Sequence, residues 1–165
     1  MAGGFSTHEV MTVLRQIVGV RVSPPTLSRW VDRGLVVPSI RKSRRSGVSH
    51  EWSASDVIGL AWLLQARADG FPVSTYKEAL GTLWRRLPAL LGQPAPLFFV
   101  LVGKDITVMA RGEIARRLSP TMRQKMCVWP TPGSLAQVEA ALAQLRPHGP
   151  SRRSKQAAAG HLGGP

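Results

Sequence analysis

Two groups of basic side chains in the first third of the chain have a spacing suited to binding a polyanion. Arg29 and Arg33 are four residues apart, so both fall on the same face of a helix. A second group follows closely and consists of Arg41, Lys42, Arg44 and Arg45. A guanidinium group presents several N–H donors in one plane, which matches both phosphate oxygens and the edges of bases. These residues are therefore candidates for contacts with a nucleic acid.

The first element that must position these side chains is a short helix near the start of the chain. The segment Ser6–Glu9 has a hydroxyl followed three residues later by a carboxylate, which is the pattern of a capping box. Apolar residues then recur at helical spacing as far as Val18, and Gly19 can end the helix in a left-handed conformation. The sequence therefore predicts a helix of about 12 residues at this position.

A second predicted helix carries Arg29 and Arg33. Ser23 can cap its N-terminus, Pro24 fits the first helical position, and Gly34 follows its end. Its apolar face is formed by Leu27, Trp30 and Val31. Two short helices joined by a turn, with exposed arginines on the second, are typical of a helix-turn-helix.

The second basic group lies in a predicted two-stranded ribbon from Ile40 to Trp52. Ser46-Gly47 is a turn sequence, and residues 48–52 can return as a short strand. A ribbon with four cations near its tip is typical of a wing that contacts DNA phosphates. His50, on the returning strand, is a further candidate contact.

The remaining chain predicts an α+β fold with three parts. Helices are expected after the capping box of residues 53–56 and from Ser74, and a Pro-rich segment at residues 93–96 marks a boundary. Beyond it the spacing of apolar residues changes from a period of 3.6 to a period of 2, which predicts a hairpin at 97–110. The pattern that follows predicts a helix at 112–118, a strand at 126–129 and a helix at 134–145. We therefore predict a DNA-binding domain at residues 1–92, a small α/β module at 97–146 and a disordered basic tail at 147–165.

The net charge also favours a polyanionic partner. The chain has 22 Lys and Arg against 9 Asp and Glu, which gives a formal charge of +13. Each phosphate that such a surface neutralises releases counterions, so binding is favourable. Charge alone does not separate DNA from RNA or from an anionic membrane.

Several other classes of protein are not expected. Cys127 is the single cysteine, which excludes a disulfide framework and a thiolate metal cluster, and we predict it to be a small buried hydrophobe. Lys104 lacks the flanking residues of a phosphate-binding loop, and His50 lacks metalloprotease spacing, so neither catalysis nor a cofactor or metal is expected. There is no secretory signal pattern at the N-terminus, and the apolar stretch Val57–Ala66 is far shorter than the roughly 20 residues of a membrane span. We expect a cytoplasmic, nucleoid-associated protein.

The order of these segments resembles the N-terminal domain of the MerR family. The segments that carry the resemblance are Phe5–Val10, Pro25–Trp30, Gly34-Leu35, the Arg-rich stretch with Ser46-Gly47, Ser55–Val57 and Arg67–Val73. It covers roughly residues 5 to 90. The family's fold is a winged helix-turn-helix, so the resemblance implies that helix 24–33 enters the major groove and that the ribbon is the wing.

The resemblance supplies a set of expected DNA contacts, with some departures. The set is Thr26, Ser28, Arg29 and Arg33 on the helix, with Arg41, Lys42, Arg44, Arg45 and His50 on the wing. Ser28 stands where many members carry an arginine. The cysteines of the metal-sensing members are missing, and a mixed α/β segment replaces the long dimerisation helix that follows the fourth helix in classical members.

Taken together, the sequence predicts a sequence-specific double-stranded DNA-binding protein that acts as a transcriptional regulator. We expect a homodimer formed through the C-terminal module, or a complex of that module with another protein. Two alternatives remain open. One is a protein-interaction or assembly adaptor, such as an antitoxin or a component of a larger complex, and the other is an architectural or recombination-directionality factor.

Overall fold

The structure is a computed structural model that describes residues 4–19, 21–40, 50–92, 96–118, 126–132 and 134–145. It is a mixed α and β protein, which confirms the predicted class. Its elements in chain order are β1 (Phe5–Ser6), α1 (Thr7–Val18), α2 (Pro24–Asp32), β2 (Glu51–Trp52), α3 (Ala54–Ala68), a 3₁₀ turn (Val73–Tyr76), α4 (Lys77–Leu91), β3 (Leu97–Val102), β4 (Asp105–Ala110), α5 (Arg111–Arg117), β5 (Met126–Pro130) and α6 (Leu135–Gln144). The predicted wing residues 41–49 and the predicted tail 147–165 lie outside the described residues.

Both predicted caps of α1 are confirmed. The Ser6 N–H donates to Glu9 Oε2 at 2.7 Å, and the Glu9 N–H donates to Ser6 Oγ at 3.3 Å. These two reciprocal bonds satisfy donors that a helix N-terminus would otherwise leave unpaired. Gly19 follows the helix with φ 70°, a left-handed conformation that a residue without Cβ adopts at little cost.

Helix α3 lies at the centre of the fold. Its sequence is apolar around most of its circumference, and residues 54–64 are all buried. A helix of this kind must be covered on every side. Helices α1, α4 and α6 pack against it.

The C-terminal part of the chain supplies one side of that cover. Strand β3 is central in a three-stranded antiparallel sheet of order β4-β3-β5. The ring of Phe99 on β3 stacks on Trp62 of α3, with centroids 4.6 Å apart and an interplanar angle of 12°. On α6, Val138 and Leu142 are fully buried in the same apolar core. Residues before and after the Pro-rich segment therefore share a core, and the predicted division into domains remains a prediction.

A second, two-stranded pairing joins the N-terminus to the end of the predicted wing. Phe5 pairs with Trp52, and Ser6 pairs with Glu51, in antiparallel register. A return strand at residues 48–52 was predicted, but its pairing with β1 was not, because residues 5 and 52 are far apart in the chain. The Trp52 Nε1–H donates to Thr7 Oγ1 at 3.2 Å, which further ties β2 to the start of α1.

Two local predictions were wrong. Cys127 is exposed rather than buried, because β5 is an edge strand of the sheet. The fourth helix was predicted to begin at Ser74, whereas residues 73–76 form a 3₁₀ turn without a side-chain cap and α4 begins at Lys77. In the described ranges, no helix combines the length and the apolar character needed to cross a membrane.

The contact between α3 and α4 depends on the absence of a side chain at Gly59. A Cβ at this position would overlap the Trp84 ring and lie 2.7 Å from Leu87 Cδ2. We expect Gly59→Ala to lower the free energy of unfolding by about 1–3 kcal/mol, because either the rings or the backbone must move. Chemical denaturation of the full chain measures this.

Gly81 on α4 is the matched control. A Cβ there meets no atom within 4 Å, so Gly81→Ala adds helix propensity without a clash. We expect a gain of about 0.5–1 kcal/mol. Equal effects of the two substitutions would contradict the close helix contact at Gly59.

Candidate nucleic-acid interface

Helix α2 presents a polar outer face. Ser28, Arg29 and Arg33 are exposed, and Arg29 and Arg33 form no side-chain hydrogen bond or ion pair with the residues that the structure describes. Asp32 is also exposed on this helix. Both guanidinium groups are thus available to an external acceptor.

The inner face of α2 is held rigidly. Leu27 and Val31 are fully buried, and Trp30 is 5% exposed. Beyond the helix, the Leu35 N–H donates to the Trp30 carbonyl oxygen at 2.9 Å, and the Trp84 Nε1–H donates to the Leu35 carbonyl oxygen at 2.7 Å. The second bond ties the end of α2 to α4, so the outer face has a defined direction relative to the core.

Thr26 has a structural contact at the start of the same helix. Its N–H donates to Ser23 Oγ at 3.4 Å, and the two hydroxyl oxygens lie 2.9 Å apart. Ser23 is therefore the N-cap that the sequence predicts. Thr26 is half-buried, and its hydroxyl contributes to this cap.

The carboxylate of Asp56, on α3, joins Ser39 to Ser53, the residues on either side of the predicted wing. Asp56 Oδ2 accepts hydrogen bonds from the Ser39 N–H at 3.0 Å and from the Ser53 N–H at 2.8 Å, and it lies 2.8 Å from Ser39 Oγ. Ser39 precedes the predicted wing and Ser53 follows it. The capping box at Ser53 was predicted, but its contact with Ser39, 17 residues away, was not.

This carboxylate is buried, which affects its pKa. Asp56 is 1% exposed. Burial raises its pKa above the ordinary value of 3.8, because the charged form is poorly solvated, while the hydrogen bonds from Ser39 and Ser53 act in the opposite direction.

The predicted wing contacts are only partly described. Arg41, Lys42, Arg44 and Arg45 lie outside the described residues. His50 is half-buried, and its ring meets Trp52 edge to face with centroids 5.9 Å apart. The structure therefore places His50 beside the core tryptophan of β2.

Four acidic side chains have partners within the fold. Glu9 and Asp56 belong to helix caps, Asp69 accepts a bond from Trp129 Nε1 at 3.1 Å, and Glu113 forms an ion pair with Arg117. Across the described residues, no group of three or more His, Cys, Asp and Glu side chains is arranged to hold a metal ion.

Two arginines that lie beside α2 were not predicted as site residues. Arg21 precedes the helix, and Arg67, near the end of α3, places its guanidinium carbon 5.5 Å from the centre of the Trp30 ring. Both line a cleft that also contains Ser23 and Thr26. They are 46 residues apart in the sequence, which gave no indication that Arg21 and Arg67 would line the same cleft.

The role of Asp56 can be tested by comparing two substitutions. Asp56→Asn keeps an acceptor for Ser39 and Ser53, whereas Asp56→Ala leaves two N–H donors without a partner. We expect the alanine variant to lose about 1–3 kcal/mol more stability than the asparagine variant. Equal stabilities, measured by chemical denaturation at neutral pH, would contradict the joining role of this carboxylate.

The pH dependence supplies an independent check. Because the folded-state pKa is raised, the native protein holds this proton more tightly than the unfolded chain does. The stability that the group contributes is therefore fully present below its unfolded pKa and is lost as the pH rises through the folded pKa. Wild-type protein should therefore lose stability relative to Asp56→Asn as the pH rises from the unfolded pKa through the folded pKa. A gain of stability over the same pH range would show that the hydrogen bonds lower the pKa by more than burial raises it.

Comparison with known proteins does not assign the chain to a family. Neither a protein-family model nor a curated protein matches the sequence. The resemblance of residues 5 to 90 to the MerR domain therefore rests on the sequence segments alone.

Proposed function

We propose that this chain binds double-stranded DNA in a sequence-specific manner and acts as a transcriptional regulator, with α2 as the recognition helix. The observation that carries the proposal is the division of α2 into two faces. Leu27, Trp30 and Val31 fix the helix to the core, while Arg29 and Arg33 project without partners among the described residues. A rigidly held helix with free guanidinium groups is suited to contacting base edges in the major groove.

The region around the predicted wing supports the same function. Both ends of that segment are fixed, at Ser39 and Ser53 by Asp56 and at Glu51 and Trp52 by pairing with β1. Arg41, Lys42, Arg44 and Arg45 lie between these two ends in the sequence, outside the described residues, and in this proposal they contact phosphate oxygens. In this proposal α1, α2 and the segment from Ile40 to Trp52 form a winged helix-turn-helix, as the resemblance to the MerR family implies.

The first functional prediction concerns Arg29. If its guanidinium reaches a base edge, Arg29→Ala should reduce discrimination between a selected sequence and a scrambled duplex by about 1–3 kcal/mol. The selected sequence comes from enrichment of bound duplexes out of random DNA, and fluorescence anisotropy gives both affinities. A loss of equal size on both duplexes would make Arg29 a phosphate contact instead.

The matched control is the double substitution Arg44→Ala with Arg45→Ala in the predicted wing. Phosphate contacts are the same on any sequence, so both duplexes should weaken about equally. For wild-type protein, about 5 phosphate contacts give a plot of log affinity against log salt a slope near −4 to −5. Affinity that is absent at low salt, or that does not change with salt, would refute DNA binding.

We further propose that two copies of the chain pair through β5. One recognition helix contacts few base pairs, so specificity normally requires a second one on the same duplex. Strand β5 is an edge of the sheet, and its residues carry no charge that would oppose pairing with another strand. Val128 on this strand is 41% exposed.

Sedimentation equilibrium tests this pairing. We expect a mass of twice 17.9 kDa for the full chain, and a monomer for Val128→Lys, because a lysine at a strand edge opposes pairing. Ala140→Lys, on the exposed side of α6, adds the same charge away from the edge and should remain dimeric. A wild-type monomer at tens of micromolar would reject self-association and favour the adaptor interpretation, in which another protein covers β5.

A further inference from the structure

Two neighbouring depressions, which we together call the groove, lie beside α2. One depression of about 460 Å³ lies between the start of α2 and the end of α3, and a second of about 330 Å³ lies along α1. Arg21 and Val22 line both depressions. Together the two depressions are lined by residues of α1, of α2 and the residues just before it, and of the end of α3.

The side chains that line this groove are suited to an extended anion. Three guanidinium groups, those of Arg15, Arg21 and Arg67, belong to it, as do the hydroxyls of Ser23 and Thr26. None of its lining residues is acidic. Arg15 and Arg21 are exposed and form no side-chain hydrogen bond or ion pair within the described ranges.

The position of the groove relative to α2 indicates which anion it meets. Thr26 and Trp30 are four residues apart and lie on the flank of α2 that faces the groove. A helix is about 10–12 Å across and the major groove of DNA is about 12 Å wide, so a helix inside it has a phosphate backbone beside each flank. When the outer face of α2 meets base edges, the backbone of one strand passes along the Thr26 side.

We propose that this groove binds the phosphodiester backbone of one DNA strand next to the base pairs that α2 contacts. This inference rests on the proposed function and extends its footprint to α1 and α3. Arg15 and Arg21 donate to phosphate oxygens from one side of the strand. Arg67 is held against the Trp30 ring and donates from the other side, and the N-cap hydroxyls lie between them.

The experiment compares two double variants that remove the same charge. Arg15→Gln with Arg21→Gln alters the groove, while Arg85→Gln with Arg86→Gln alters the exposed side of α4, where neither residue lines it. We expect the salt slope of the groove variant to be shallower than that of wild type by about 2, since each phosphate contact contributes about 0.9. Discrimination between selected and scrambled duplex should not change, and the control variant should keep the wild-type slope.

Ethylation of individual DNA phosphates gives a second measurement, and its first part uses wild-type protein only. Ethyl groups on phosphates beside the base pairs protected by α2 should block binding of wild-type protein. The same ethylated positions should have little effect on the groove variant, whose thermal unfolding should match that of wild type.

Three outcomes would overturn the inference. If the groove variant and the control variant have the same slope, while Arg29→Ala still reduces discrimination, α2 binds DNA without this groove. If wild-type protein does not bind duplex DNA, the proposed function fails and this inference fails with it. If a mononucleotide binds tightly through Arg21 and the DNA slope is unchanged in the groove variant, the groove holds a small phosphorylated ligand instead.

Discussion

The enclosure of α3 is the constraint on which the rest of the structure depends. A helix that is apolar around its circumference exposes hydrophobic surface wherever a neighbour is missing, at a cost of about 25 cal/mol for each Å². Helix α1 and helix α4 cover part of it, and the Phe99 ring of β3 and the apolar face of α6 cover another part. The N-terminal helices therefore depend on the C-terminal strands and helix for a complete core. Helix α3 is covered in two ways. At Gly59 side chains of α4 approach its backbone closely, and at Trp62 the Phe99 ring stacks on its side chain.

The same helix connects the core to the candidate interface at both of its ends. At its N-terminus, Asp56 caps the helix and also receives the Ser39 N–H, so folding of α3 fixes the point where the predicted wing begins. At its C-terminal end, Arg67 lies over the Trp30 ring and Leu64 lines the cleft beside α2. Burying a carboxylate is costly unless it is well hydrogen-bonded, and here the bonds that offset this cost are the ones that join Ser39 to Ser53.

Features determined by a few neighbouring residues could be predicted from the sequence, and those determined by long-range packing could not. The capping boxes at Ser6 and Ser53 and the N-cap at Ser23 lie within single turns, so they were located correctly. The β1–β2 pairing and the Ser39–Asp56 contact join distant residues, and no periodicity in the sequence indicates them. The exposure of Cys127 was predicted wrongly because alternation shows that a strand exists but not that the strand lies at an edge. For the candidate site, the outer face of α2 followed from helical spacing, whereas Arg21 and Arg67 come to line one cleft only in the folded chain.

The shared core also has a consequence for how a pair of these chains would meet DNA. In a protein whose DNA-binding and pairing parts are joined only by a flexible linker, the distance between two recognition helices can vary with the site. Here α3 contacts Trp30 through Arg67 and contacts Phe99 through Trp62, so α2 and the sheet are fixed to one helix. Two chains joined through β5 would hold their α2 helices at one separation and one relative rotation. Half-sites are productive only at spacings that place both helices on the same side of the duplex, about 10–10.5 base pairs apart or a multiple of that. In such a pair, a changed half-site spacing would leave one α2 helix out of register with its half-site.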